Sequence, residues 1–354
     1  MVFTDAAKTP LEMPKGEYSL LGFHGEIVDE QNKSVPLSTV YDHHWIAKDG
    51  IHKNPWCPVE YVFGIGAESR NTPTNFPAGY GYRVSDAAWW GGNIHLLHTD
   101  HLAGSNAEIA AKECNECYYA AGKGPECTPE KNGTFQCCGD NCFDGSCFCP
   151  TAPSAPTTQT NYYLQYTVMY TREMITPIYI GVWTAPGCQT FYDVFRNDEE
   201  PEHLASTGNT RVEADFELVF AVGHQHTGAL NISLFINDER VCTSYPKYGA
   251  EDGVAGNEKN HLVEMTNCIN KDIGGSVKVH NGDILRLDSW YYVGSNDSRL
   301  GPGLGGTHLN VMGYMYMAMA TDNSDGLPES IILSRYPQLR TGVQLLQPDV
   351  VTFL

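Results

Sequence analysis

The sequence has little positive charge. Its 354 residues include 22 lysines and arginines against 42 aspartates and glutamates, which gives a formal net charge of −20 at pH 7. Nucleic-acid binding needs a basic surface, and so does attachment to anionic membranes. We therefore expect no nucleic-acid partner. No apolar run approaches the roughly 18 residues that a membrane helix needs, so we also expect no membrane span.

Other patterns are missing too. The first residues lack the basic and apolar regions of a signal peptide. There is no His-Glu-x-x-His motif, which argues against a zinc hydrolase of that kind. Helical periodicity is scarce, with a short candidate near residues 106–112. Short alternating apolar segments, separated by many of the 35 glycines and 20 prolines, instead favour an all-β protein built from sandwiches.

Twelve cysteines indicate an oxidising compartment. We expect a secreted, extracellular protein whose signal peptide is not present in this chain. Four Asn-x-Ser/Thr sequons agree with this and predict a glycoprotein. The sequons are at Asn32, Asn132, Asn231 and Asn296.

Eight of the cysteines crowd residues 113–160, which we interpret as a disulfide-rich insertion followed by a linker. A zinc knuckle at residues 114–117 is the alternative, and the absence of nearby histidines disfavours it. The insertion could also contact a protein partner.

The cysteine count is odd on both sides of the expected domain boundary, which lies near residues 174–178. Nine cysteines precede it, and Cys188, Cys242 and Cys268 follow it. If all twelve are paired, at least one disulfide joins the two halves, residues 1–175 and 176–354.

Alternating apolar residues predict strands throughout both halves. The predicted strands are residues 18–28, 38–46, 61–65, 79–84, 93–98, 162–170, 178–183, 212–226, 232–236, 283–293 and 311–320.

A His-x-His motif closes the strand predicted at residues 212–226. Alternate residues from Val212 to Val222 would lie on one face of this strand, and the same period directs His224 and His226 to one side. Two imidazoles on one side can hold one metal ion. Two exposed histidines at a strand end are the structural alternative.

Further histidines occur in two earlier predicted strands. Adjacent residues of a strand face opposite sides, so His43 and His44 can share a metal ion only if the backbone is irregular there. His95 and His98 also lie on opposite faces, so only one of them should join a given site.

The last predicted strand contains a methionine that offers a thioether. In the strand predicted at residues 311–320, Met315, Met317 and Met319 share a face and are most simply core. Met312 lies on the other face, beside a glycine. A thioether combined with imidazoles favours copper, above all Cu(I), over zinc.

The order of these residues resembles that of the two-copper monooxygenases, peptidylglycine α-hydroxylating monooxygenase and dopamine β-monooxygenase. Residues 76–84 and 282–285 resemble motifs of those enzymes. More closely, residues 20–320 resemble the stress-upregulated nodulin-type family. The motifs that carry this resemblance are Tyr41-x-His-His-Trp45, Phe63-Gly-Ile-Gly-Ala-Glu-Ser-Arg70, Asn93-Ile-His95, Gly223-His-Gln-His226, Tyr248-Gly249, Gly256-Asn-Glu258 and Val311-Met-Gly313.

The resemblance implies two tandem jelly-roll-like antiparallel β-sandwiches, each with a copper ion that faces an open cleft. One set of ligands would be His43, His44 and His95, with His98 as the alternative to His95, and it would supply electrons. The other set would be catalytic. Its members would be His224, His226 and Met312.

We therefore expect a copper-dependent monooxygenase that oxidises a C–H bond with O2 and a reductant such as ascorbate. Its substrate would be a small molecule, a peptide or a cell-wall component. The alternative is an extracellular copper-binding or structural protein on the same scaffold. Val222 stands where the peptide-amidating enzymes carry an arginine for the substrate carboxylate, and this departure favours the alternative.

Overall fold

The computed structural model describes residues 2–3, 6–100, 160–195, 197–294, 308–323, 326–328 and 330–332. Over these residues the chain contains strands and no helix, which confirms the all-β class. The strands are β1 (Val2–Phe3), β2 (Tyr18–Val28), β3 (Val40–Lys48), β4 (Phe63–Ile65), β5 (Thr74–Asn75), β6 (Tyr80–Val84), β7 (Gly91–His98), β8 (Tyr163–Thr171), β9 (Thr176–Thr184), β10 (Tyr192–Phe195), β11 (Glu202–Ser206), β12 (Thr210–Arg211), β13 (Phe216–Gln225), β14 (Ala229–Ile236), β15 (Glu239–Ser244), β16 (Pro246–Tyr248), β17 (Leu262–Met265), β18 (Asn267–Asn270), β19 (Val277–Val279), β20 (Ile284–Tyr292), β21 (His308–Val311) and β22 (Gly313–Ala320).

Nine strands form the largest sheet, which contains members from both halves of the chain. Its order is β18-β13-β22-β9-β6-β2-β5, with β19 beside β13 and β8 beside β2. The pairs are antiparallel except for β6 and β9, where Gly81 lies opposite Pro177 in a parallel register. The sheet therefore runs without a break across the boundary expected near residue 176.

Two smaller sheets cover this large sheet. The first, β1-β7-β3-β4, packs on the β2 region, where the rings of Phe23 and Trp45 lie 4.9 Å apart. The second, β11-β20-β14-β15, packs on the β13 region so closely that a Cβ on Gly223 would lie 2.4 Å from Cγ2 of Ile232. Each half thus has sandwich layers around apolar side chains, which is the arrangement that buries the apolar face of every sheet.

The predicted alternation in the His-x-His strand is wrong beyond Leu218. Leu218 lies opposite Met319 but Phe220 lies opposite Ala318, so Val219 is an extra residue in β13. This β-bulge turns Leu218 and Phe220 to opposite faces. Every residue of β13 from Leu218 to Gln225 is buried, so this part of the strand has no solvent-exposed face.

Two disulfides lie within the described residues, and one of them joins the halves. Cys57 pairs with Cys188, and Cys242 pairs with Cys268. The first bond confirms the cross-half disulfide expected from the odd cysteine counts. The cysteine-rich insertion, the helix expected near residues 106–112 and the sequons at Asn132 and Asn296 lie outside the described residues. No helix in the described part of the chain is long and apolar enough to cross a membrane.

Removing the cross-half disulfide should destabilise the protein more than removing the other one. Cys57 and Cys188 are 131 residues apart, whereas Cys242 and Cys268 are 26 residues apart. Opening the longer loop increases the conformational entropy of the unfolded chain more than opening the shorter one does. The free energy of unfolding should therefore fall by about 1.4 kcal/mol more when the first pair is replaced by alanine. Denaturant unfolding of the two double variants makes the comparison, and an equal loss would contradict it.

Candidate metal centre

A β-bulge gathers the first three histidines. Asp42 of β3 lies opposite Leu96 of β7, but the next paired residue is His44, opposite His95. His43 is therefore the extra residue, and the alternation that would separate it from His44 is interrupted. The backbone irregularity that a shared site requires is present at this point.

His43, His44 and His95 form a compact group. Each offers a ring nitrogen that lies within 4.8 Å of the others. The ring centroids are 4.6 Å apart for His43 and His95 and 5.4 Å apart for the two pairs that include His44. His98 lies apart from this group, with Nε2 3.2 Å from a carboxylate oxygen of Asp100. The geometry thus brings His95, rather than His98, to the pair on β3.

Burial keeps the imidazoles of His44 and His95 neutral near pH 7. The pKa of His44 is lowered to about 4, mainly by burial, and His224 and His226 contribute to the decrease. The pKa of His95 is lowered to about 3, again mainly by burial, and His44 contributes. Nε2 of His44 lies 2.8 Å from the amide oxygen of Asn93. That oxygen can only accept, so Nε2 donates to it and Nδ1 is the nitrogen with a lone pair that a metal ion could use.

The second pair of histidines lies at the end of β13. His224 and His226 are buried, and their ring centroids are 5.4 Å apart. Nδ1 of His224 contacts Oε1 of Glu68, a buried carboxylate from the other half of the chain. Facing His224 on the neighbouring strand is Tyr314, whose ring centroid lies 5.5 Å away.

Met312 lies beside His226. It occupies the break between β21 and β22, and Gly313, the next residue, pairs with Gln225. The hydroxyl of Tyr291 accepts from the backbone N–H of His226 at 2.7 Å and donates to the carbonyl of Met312 at 2.6 Å. One buried side chain therefore holds the two backbones together, and the Met312 side chain is partly buried against the core.

The two groups of histidines adjoin one another. The ring centroids of His43 and His226 are 5.6 Å apart. The groups are thus in contact, rather than facing each other across the open cleft that the resemblance implied. Imidazoles, together with a methionine whose backbone is tied to that of His226, form a donor set of the kind that suits copper.

Sequence reasoning missed two residues of this centre, Glu68 and Asp42. Asp42 is buried next to His43, and burial together with the nearby Glu68 raises the pKa of its carboxyl well above the usual range. Ser69 donates to it at 3.3 Å. The sequence signal for them is that each acidic residue lies inside a short motif, Asp42 in residues 41–45 and Glu68 in residues 63–70.

An open cavity of about 980 Å³ lies elsewhere. Glu217 and Lys271 line it, and Glu217 precedes His224 by seven residues on β13. A strand rises about 3.3 Å per residue, which puts the cavity roughly 20 Å from the histidines. It is therefore separate from the candidate metal centre.

Comparison with known proteins supports one family. The model of the family described as stress up-regulated Nod 19 matches residues 4–57 and 47–322. No curated protein matches the chain. The structure of infectious bursal disease virus Gx strain has a TM-score of 0.20 and 12% identity, covering 91% of this chain and 76% of that chain. The crystal structure of the infectious bursal disease virus VP2 subviral particle has a TM-score of 0.18 and 10% identity, covering 92% and 77%. Scores this low carry no argument.

The geometry predicts different effects for the two histidines of β7. His95→Ala should weaken the binding of one Cu(I) ion by at least about tenfold, because it removes one of the three imidazoles of the group formed with His43 and His44. His98→Ala is the matched control and should leave the affinity unchanged. Competition against a Cu(I) chelator measures both. Equal losses in the two variants would contradict the assignment of His95.

Acid should destabilise the metal-free protein through the buried imidazoles of His44 and His95. In the folded protein their pKa values, about 4 and about 3, lie below the ordinary value of 6.5. Between these limits the unfolded chain binds protons that the folded chain does not. The free energy of unfolding should therefore decrease as pH falls from about 6.5 to 4, by up to about 1.4 kcal/mol per pH unit for each histidine.

Urea unfolding at several pH values provides the test. A variant that carries both His44→Gln and His95→Gln should show a shallower pH dependence than the parent. The same slope in both proteins would contradict the prediction.

Proposed function

This chain belongs to the stress up-regulated Nod 19 family, and from that premise we propose that it is a secreted copper-dependent monooxygenase. It would oxidise a C–H bond with O2 and a reductant such as ascorbate. The observation that carries the proposal is the meeting of two groups of soft and borderline ligands, in which the rings of His43 and His226 lie 5.6 Å apart.

Each group has a distinct role in this proposal. His43, His44 and His95 would hold the copper that supplies electrons. His224, His226 and Met312 would hold the copper beside which O2 and the substrate react. Bound copper contributes one-electron redox chemistry and the activation of O2, and the protein contributes position and electrostatics.

The surrounding residues suit these roles. Burial keeps the imidazoles of His44 and His95 unprotonated, and their nitrogens can bind metal without first losing a proton. The hydroxyl of Tyr291 forms hydrogen bonds with the backbones of His226 and Met312. These bonds fix the position of the Met312 backbone relative to His226. The partly buried position of Met312 limits the access of water.

Secretion is part of the proposal and is supported by the two disulfides of the described residues. Such bonds form and persist in oxidising compartments. Asn32 lies exposed in a turn, which suits a glycosylated asparagine.

The second candidate function is a copper-binding protein without hydroxylase activity. Val222 favours it, because this residue lies two positions before His224 and is buried in the core. An apolar side chain there offers no cation to a substrate carboxylate. The substrate would then have to differ from that of the peptide-amidating enzymes, or the reaction would be absent.

The methionine ligand should be essential to O2 activation. Met312→His should preserve the fold and much of the copper binding but suppress ascorbate-dependent O2 uptake, because a soft thioether favours the reduced ion more than a third imidazole does. Met315→Leu is the control: Met315 is buried opposite Gly223 on the other face of β22. Such a swap usually costs less than about 1.5 kcal/mol.

An oxygen electrode compares both variants with the parent. If the parent shows no uptake above that of free copper, the copper-binding alternative is favoured. If Met312→His matches an active parent, Met312 is not a ligand, and the proposed role of the second group fails.

A further inference from the structure

We infer that Glu68 is a positioning residue for His224, so that the first half of the chain completes the metal-binding group of the second half. This inference rests on the proposed function only in that both treat His224 as a metal ligand. The observation behind it is a direct contact between Oε1 of Glu68 and Nδ1 of His224. These residues are 156 positions apart in sequence.

The contact is shielded from water. The side chain of Glu68 is 1% exposed and that of His224 is 3% exposed. A buried carboxylate needs hydrogen-bond donors, and Glu68 has two: Nδ1 of His224 and the backbone N–H of Gly66, 3.3 Å from Oε2. The imidazole is therefore one of the groups that make burial of this carboxylate tolerable.

The turn that carries Glu68 is held from several sides. The backbone carbonyl of Glu68 accepts from the N–H groups of Asn71 and Thr72, each at 3.0 Å. Gly66 lies so close to β3 that a Cβ there would be 2.5 Å from the carbonyl oxygen of His43. The turn thus contacts the backbone of one metal-binding group and a side chain of the other.

Arg70 anchors the other end of the turn. Its guanidinium lies 2.9 Å from Glu26 in the same half and 3.1 Å from Glu258 in the other half. These ion pairs are largely buried, so the turn has little freedom to move away from β13. Glu68 is consequently presented to His224 by a rigid support.

The chemical consequence concerns the two nitrogens of His224. A carboxylate that accepts from Nδ1–H fixes the neutral tautomer and the plane of the ring, and it increases the basicity of the other nitrogen. A metal ion on His224 is then bound through Nε2. The ring that Glu68 orients lies 5.4 Å from that of His226, which itself lies 5.6 Å from that of His43.

A purely structural ion pair is the competing explanation, and the two make different predictions. In a structural ion pair, loss of Glu68 lowers thermal stability and leaves metal affinity at the folded centre unchanged. If Glu68 positions the ligand, its loss changes both the tautomer of His224 and the affinity of one metal ion.

The test uses the full chain with Glu68→Ala and Glu68→Gln, and Glu264→Gln as the control. Glu264 also bears a charged partner, Lys247, at 2.6 Å, but lies in an exposed pair. Cu(I) affinity is measured by chelator competition. We expect Glu68→Ala to weaken one of two sites by about 10- to 100-fold and to leave the other unchanged. Glu68→Gln should have a smaller effect, because its amide oxygen still accepts from Nδ1–H.

A second measurement needs no metal. Nitrogen–proton correlation spectra of the histidine rings report which nitrogen carries the proton. In the metal-free parent, His224 should be protonated at Nδ1, and Glu68→Ala should shift it toward the Nε2 form. Glu68→Met, which is of similar length and has no acceptor for Nδ1–H, makes the same test if the alanine variant folds poorly.

The outcomes separate this inference from the proposed function. Unchanged tautomer and affinity in the Glu68 variants would overturn the inference, even if the parent consumes O2. A parent without O2 uptake whose Glu68 variants lose metal affinity would overturn the monooxygenase proposal and retain the positioning role of Glu68.

Discussion

Buried charge at the turn after β4 constrains how the two halves of the protein meet. Arg70 lies between Glu26 and Glu258, and Glu258 also accepts the backbone N–H of Leu37 at 3.0 Å. Breaking such a buried pair by removal of one partner typically costs about 3–5 kcal/mol. Any shift of one half against the other would expose or unpair these groups. The same turn carries Glu68, so the constraint that joins the halves also orients His224.

Single extra residues in strands decide which side chains can cooperate. The bulge at His43 allows two consecutive histidines to approach one point together with His95. Because of the bulge at Val219, the side chains of Leu218 and Phe220 point to opposite faces of the sheet. A strand has a side-chain period of two, and one inserted residue reverses every following orientation. The geometry of the candidate metal centre thus depends on where the regular strand pattern is interrupted.

Much of the fold could be predicted from local pattern. The alternation at residues 18–28 matches β2, and the odd cysteine counts required the cross-half bond that Cys57 and Cys188 form. The choice between His95 and His98 could not be made, because it depends on the register of β7 against β3. Glu68 was missed because its partner is 156 residues away and no local spacing connects them.

The sequence by itself determined the chemical capacity of this protein: the strand-forming alternation, the cysteines available for cross-links, and the imidazoles and thioether available for metal binding. The tertiary structure alone decided which of these groups meet. It brought the ring of His43 to within 5.6 Å of that of His226 and placed a buried carboxylate on His224. The physical reason is that register, bulges and contacts between distant segments follow from packing of the whole chain, which local propensities do not encode.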